Sequence, residues 1–283
     1  MNIKNFILQA IFCISILPAL AQDSIYYNKN WEVTDATKAT YFRLKWKEGK
    51  GWKVKDCYLS GKPQMEGAYN DDSCKIKLGA FSFYDEDGQL THTCNYRDGE
   101  LDGPDMLYYD NSQLRTKGNY KQGIETGEWL GYYPSGKPSA VARFKKGKQV
   151  SGEFFNEDGT PNKMITEFSR ECSFPGGLPA LQRFLIRNLH YPDSAIIREI
   201  VGTVKIGFNV SKDGKIGEIK VTQSVESSLD SEAVRVISIM PDWEPLIIGG
   251  IQCDSYEEQP INFILRDAES AYVREKKSFL ATE

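Results

Sequence analysis

Apolar residues at Leu178, Leu181, Phe184, Leu185 and Leu189 recur at helical spacing, which predicts an amphipathic helix over 178–189. Pro175-Gly176-Gly177 precedes it and Tyr191-Pro192 ends it, since a proline biases the residue before it away from helix. The period then changes. Val204, Ile206, Phe208 and Val210 alternate with Lys205, Gly207 and Asn209, as in a half-buried strand. Lys212-Asp213-Gly214-Lys215 reads as a tight hairpin turn, with Ile216, Ile219 and Val221 on the returning strand. Leu229, Ala233, Val236, Ile237 and Met240 form a second helical stripe, with Asp230 and Glu232 favouring its N-terminal dipole and Pro241 closing it. Ile261, Phe263 and Leu265 alternate in a last strand. Two helices on one face of a three-stranded antiparallel sheet is the economical packing of this order, an α+β layer.

The first half has a different rhythm, a period of 24 residues. Gly79, Gly103 and Gly127 form one series, Tyr84, Tyr108 and Tyr132 another, Tyr96, Tyr120 and Phe144 a third, and Gly99, Gly123 and Gly147 a fourth. Gly88 and Gly136 share a register with Ser112 between them. An earlier copy shows in Tyr58-Leu59-Ser60-Gly61-Lys62-Pro63, which mirrors Tyr133-Pro134-Ser135-Gly136-Lys137-Pro138. Each unit holds two short strand segments, one an aromatic-rich run such as Phe81-Ser82-Phe83-Tyr84, and two turns, the first at Asp87-Gly88, Asn111-Ser112 and Ser135-Gly136 and the second at Arg97-Asp98-Gly99 and Lys121-Gln122-Gly123. One hairpin cannot bury a face, but stacked neighbours share a continuous aromatic row. This predicts a β-rich, antiparallel β-hairpin ribbon. The pattern resembles the variant MORN repeats of bacterial exported and antitoxin-like proteins.

The second half carries ordered landmarks: Phe174-Pro175-Gly176-Gly177, Asn188-Leu189-His190-Tyr191-Pro192, Gly202-Thr203-Val204, Asp213-Gly214, Leu229-Asp230-Ser231-Glu232-Ala233, Met240-Pro241-Asp242-Trp243-Glu244-Pro245 and Pro260-Ile261-Asn262-Phe263. In this order the region resembles the C-terminal domain of TonB energy transducers. The domains expected are a signal peptide at 1–21, a capping segment at 22–50, the repeats at 51–163, a linker at 164–173, the TonB-like domain at 174–267 and a charged tail at 268–283.

The resemblance implies a domain that grips another protein by β-augmentation, pairing an extended segment of an outer-membrane transporter with an open sheet edge. Carried onto this chain, the edge is Gln259, Ile261, Asn262, Phe263 and Ile264, flanked by Tyr191 and Pro192. Pro175, Gly176, Gly177, Gly202, Asp213, Gly214, Trp243 and Pro245 take structural roles. Two departures bear on this. Leu246 stands where the family usually has Gly, and Cys253-Asp254-Ser255-Tyr256-Glu257-Glu258 is acidic where alternating Val is usual. The strand before Pro260 is therefore shorter, or its edge prefers a basic partner. The family's transducers also carry an uncleaved membrane helix and a long Pro-rich spacer, whereas the 12 prolines here are dispersed.

Lys4, the apolar stretch 6–17 and the Ala19-Leu20-Ala21 site before Gln22 read as a cleaved secretory signal, which implies a periplasmic protein. The apolar run falls short of the roughly 20 residues a spanning helix needs. Cys13 lacks the small preceding residue that lipidation requires. A net charge of -4 with dispersed Lys and Arg argues against nucleic acid. Five cysteines remain (Cys57, Cys74, Cys94, Cys172 and Cys253), none in a C-x-x-C pair, and neither a metal nor a cofactor is expected. The Asp85-Glu86-Asp87-Gly88 and Asn156-Glu157-Asp158-Gly159 runs lack the spaced Glu of a calcium loop and read as turns. With His92 and His190 the only histidines, and no nucleophile elbow, phosphate loop or dinucleotide fingerprint, an enzyme or a small-molecule substrate is not expected. The sequence thus points to an exported interaction protein that takes an extended peptide of an outer-membrane protein, or a second copy of itself. The alternative is an envelope scaffold whose repeat ribbon is the binding surface.

Overall fold

A computed structural model describes residues 24–265. The expected signal peptide and charged tail lie outside the described residues, as does Cys13. The chain divides into two compact units at Leu90, with Tyr96–Gly99 belonging to the first and Thr91–Asn95 to the second.

The first unit is built from β1 (Ile25–Tyr27), β2 (Tyr41–Glu48), β3 (Gly51–Tyr58), β4 (Pro63–Tyr69), β5 (Lys77–Tyr84) and the ends of β6 (Leu90–Arg97). β1 to β5 pair antiparallel with their chain neighbours. The expected capping segment thus supplies β1 and β2. Arg43 on β2 clasps Asp56 on β3 through Nε and Nη2 at 2.6 and 2.7 Å. Asp56 is buried, and a charge there is tolerable only because it is paired in this two-point geometry.

The second unit takes the middle of β6 and continues with β7 (Glu100–Leu101), β8 (Gly103–Tyr108), β9 (Leu114–Lys121), β10 (Ile124–Tyr132), β11 (Pro138–Lys145) and β12 (Lys148–Phe154). From β8 to β12 each strand pairs antiparallel with the next. The 24-residue period has a local cause. Gln122-Gly123 and Lys146-Gly147 both sit at positive φ (52° and 73°, 54° and 73°), which is the two-residue hairpin turn whose twist matches that of the strands. A second contact repeats with the units: the Tyr109 hydroxyl donates to the Tyr132 carbonyl and the Tyr133 hydroxyl to the Phe155 carbonyl, both at 2.8 Å. The Trp129 ring lies over Gly118 of the neighbouring strand, where any side chain would overlap it.

After the ladder come β13 (Ser169–Arg170), α1 (Gly177–Asn188), α2 (Asp193–Ile197), β14 (Gly202–Val210), β15 (Ile216–Gln223), α3 (Ser227–Ser238), β16 (Leu246–Ile248), β17 (Ile251–Cys253) and β18 (Ser255–Phe263). β14 lies between β15 and β18, both antiparallel to it. Leu181 of α1 and Leu229, Ala233, Val236 and Ile237 of α3 pack on Val204, Ile206, Phe208, Ile261 and Phe263, giving two helices on a three-stranded sheet.

Four features differ from expectation. α2 is an added short helix, too brief to show a period. Glu232 does not serve the start of α3. That end is capped by the Glu226 carboxylate, which accepts from the Ser228 N–H at 2.8 Å, while Glu232 accepts from the His190 N–H and from Arg235. The acidic run does not shorten the last strand, because β18 spans nine residues with one side chain outward for each inward. The residues expected as a linker contribute Ile165 and Phe168 to a core with Trp129, Ala140, Phe144 and Phe154.

Ile247 enters that same core from the β16–β17 hairpin. Its turn, Gly249-Gly250, has φ of 62° and 76°. The Gly249 carbonyl accepts from Ser139 Oγ at 2.6 Å, and the Gly250 N–H donates to the Phe168 carbonyl at 2.9 Å. The C-terminal domain is therefore joined to the last repeats by shared packing as well as by chain.

Candidate functional site

β18 has a neighbour on one side only among the described residues. The direction of its backbone groups follows from β14. The Thr203 and Lys205 carbonyls accept from Gln223 Nε2 and Thr222 Oγ1, so odd-numbered residues of β14 face β15. By alternation its even-numbered residues face β18, and in the register Val204↔Ile261 and Gly202↔Phe263 their partners are the odd residues of β18. The N–H and C=O groups of Tyr256, Glu258 and Asn262 therefore point to the open edge. Pro260 fits this parity. It has no N–H to give the ladder, and its carbonyl accepts instead from Gln259 Nε2 at 3.0 Å.

β15 is the other edge of the sheet but a poor template. Its register shifts twice and Glu218 sits at φ 45°, the kind of irregularity that blocks strand addition. The β14–β18 register runs through nine consecutive pairs without a shift.

The side chains divide accordingly. Ile261 and Phe263 are 1% exposed, so they hold the strand in place and present no side chain to a partner. Asn262 points away from the core, with Oδ1 accepting from Thr203 Oγ1 at 2.8 Å. Ile264 lies just past the strand and is 69% exposed. The Tyr191 ring packs edgewise on Phe263 at 5.4 Å, and its hydroxyl donates to the Ile200 carbonyl. Pro192 opens α2.

Between α1 and the open edge lies a groove of about 380 Å³, lined by Leu185, Ile186, Leu189, Tyr191, Asn262 and Ile264. Ile186 is 71% exposed on that helix. A smaller groove between the start of α1 and Glu257–Gln259 contains Cys172, whose thiol burial pushes up. The hydrogen bond from the Thr222 hydroxyl, and then Lys205, hold the Glu258 carboxyl below the usual range and keep it on the outer face. Tyr256, Glu258 and the α1 wall were not among the residues expected from sequence. Pro260 was the available clue to the strand's parity, and Ile186, off the helix's inward stripe, the clue to the groove.

Several of the residues expected to be structural lie near one another. The Asp213-Gly214 turn closes on Trp243, whose N–H donates to the Gly214 carbonyl at 2.8 Å, and a Cβ at Gly214 would overlap the Trp243 carbonyl. Trp243 packs edgewise on Phe208 and Phe174. Ser173 and Glu244 exchange backbone hydrogen bonds, tying the Pro175-Gly176-Gly177 stretch to the segment at Pro245.

Residues 187–265 match the family described as Gram-negative bacterial TonB protein C-terminal, a protein-interaction module of the cell envelope. Residues 77–98 and 125–146 match the MORN repeat variant, two copies that start two 24-residue periods apart. Two solution structures of the Helicobacter pylori TonB C-terminal domain are similar at 24% identity and TM-score 0.25, covering 31% of this chain and 78% and 94% of theirs. A crystal structure of a GtfA/B complex bound to UDP and GlcNAc is similar at 12% identity and TM-score 0.19, over 48% of this chain and 26% of its own. No curated protein matches the chain. Among the described residues no helix is long and apolar enough to cross a membrane.

Proposed function

We propose that this chain, which carries a TonB C-terminal domain at residues 187–265 behind MORN-variant repeats, is a periplasmic strand-capture protein. An extended segment of an outer-membrane protein pairs with the free edge of β18 and becomes a fourth strand of the sheet. The observation that carries this reading is a regular nine-residue strand whose outward backbone groups border an apolar groove. Main-chain hydrogen bonds to Tyr256, Glu258 and Asn262 supply affinity, and alternate side chains of the segment settle against Leu185, Ile186 and Ile264. The repeats hold the domain through the Ile247 contact and act as a stiff support.

The test uses the mature full-length chain, because an isolated C-terminal fragment would expose Ile247. Immobilised protein should retain an outer-membrane protein or a segment of one from envelope extract. In the purified complex, the amides of Tyr256, Glu258 and Asn262 should become protected from hydrogen exchange. A complex in which those amides keep their free rates rules out strand addition at this edge.

A further inference from the structure

The strongest cluster of chemistry outside the β18 edge lies in the repeat ladder. His92 and Cys94 are two residues apart on β6, so both project from one face. β6 pairs antiparallel with β8 in the register His92↔Leu107 and Thr93↔Met106, and the next step sets Cys94 opposite Asp105. His92 Nε2 and Asp105 Oδ2 are 2.8 Å apart, and those atoms and Cys94 Sγ all lie within 4.8 Å of one another. Cys94 and Asp105 are buried, at 3% and 6% exposed. The His92 side chain keeps 28% of its surface in solvent, which leaves a route in.

We propose that His92 Nε2, Cys94 Sγ and Asp105 Oδ2 form a binding site for one zinc-class divalent cation. Imidazole, thiolate and carboxylate together suit an ion of borderline softness. Calcium and magnesium demand oxygen ligands throughout. Three protein ligands leave the fourth tetrahedral position to water. Metal–ligand bonds of about 2.0–2.3 Å place ligand atoms about 3.4–3.6 Å apart, so an ion needs His92 and Asp105 to separate by less than about 1 Å and Cys94 to close in.

The surroundings favour a cation. Tyr120 lies on β9, next to β8, and Glu125 stands opposite it on β10. Burial raises the Glu125 carboxyl, and Asp105 raises it further. Burial, then Glu125, Asp105 and Cys94, push the Tyr120 hydroxyl up to about 12. Acidic groups thus crowd one half-buried spot, where a divalent ion would relieve their repulsion. Binding converts the Cys94 thiol to thiolate and releases its proton to solvent, so affinity falls in acid.

Cobalt(II) is the probe. The full mature chain, without an affinity tag and stripped with chelator, should bind one Co2+, show a near-ultraviolet thiolate-to-cobalt charge-transfer band, and lose that band to added Zn2+. Cys94→Ala should abolish the band. Asp105→Asn and His92→Gln should each weaken cobalt at least about tenfold. Cys57→Ala, which removes another buried cysteine, should leave the band unchanged. No band in the wild type, or one that survives Cys94→Ala, overturns the site. If Cys94→Ala does not fold by circular dichroism, undiminished affinity in folded Asp105→Asn and His92→Gln overturns it equally.

Discussion

Ser139 Oγ donates to the Gly249 carbonyl at 2.6 Å across 110 residues of chain, and Ser139 is fully buried. The hydrogen bond joins a repeat strand to the turn of a hairpin that follows the Trp243-x-Pro245 landmark. At its base lies Gly131, where a Cβ would overlap the Gly249 carbonyl oxygen. Backbone thus meets backbone with no room for a side chain, and the serine donates to the Gly249 carbonyl at this contact.

Ser139→Ala should lower unfolding free energy by about 1–3 kcal/mol, because it leaves a buried acceptor without its donor. Gly131→Ala should cost more than Ser139→Ala, since overlap with backbone cannot be relieved by turning a side chain. Denaturant unfolding of the full chain measures both, and equal stability of Gly131→Ala and wild type would refute the contact.

Ile247→Ala should destabilise by about 2–5 kcal/mol through the cavity left among Trp129, Phe144 and Phe168. The same core makes deletion of residues 58–147 more than the removal of a spacer, because it takes Trp129, Ala140, Ala142 and Phe144 from around Ile247. That deletion should leave the C-terminal domain with a lower melting temperature than it has in the full chain. Unchanged melting of the domain would mean that the hairpin does not depend on the ladder.

These contacts mark the limit of what was legible in the residues. The helix at 178–189, the strand at 204–210 and the hairpin at Asp213-Gly214 follow from period and turn chemistry, which are local. The 24-residue repeat was legible because positive-φ turns recur in fixed register. Ile165, Phe168 and Ile247 carry no period, and each is buried by a surface distant in sequence. Gly249-Gly250 signals a hairpin but not where it docks. The outward parity of β18 was available in Pro260, whereas the meeting of His92, Cys94 and Asp105 depends on a strand register that no local pattern encodes.

The Glu226 carboxylate offers a titration with a definite sign. Hydrogen bonds from the Ser228 hydroxyl and then the Ser228 N–H, with Arg198 at 3.1 Å, lower its pKa from an ordinary 4.5 to about 2. A folded-state value below the unfolded one means the cap's stabilisation is complete above the unfolded pKa. It is lost as pH falls from about 4.5 through about 2. Carboxyl-carbon NMR should place the midpoint near 2, and Ser228→Ala should raise it. A wild-type midpoint at the ordinary value would remove the cap from the account of α3.

Asn262 decides the strand-capture reading, because its backbone N–H points to the open edge while its side chain lies on the outer face. Asn262→Pro removes that donor and places ring atoms where an added strand must approach. No ladder bond to β14 is lost, since Asn262 faces away from β14 by the parity set at Thr203 and Lys205. The variant should fold with native circular dichroism yet lose partner capture at least about tenfold, the scale of one charge-neutral hydrogen bond plus a steric block. Asn262→Ala keeps the N–H and gives up only the 2.8 Å contact to Thr203, so it should bind within about threefold of wild type. If folded Asn262→Pro captures the partner at wild-type affinity, strand addition does not occur along β18. If Asn262→Ala is as defective as Asn262→Pro, recognition runs through the amide side chain and not through the backbone.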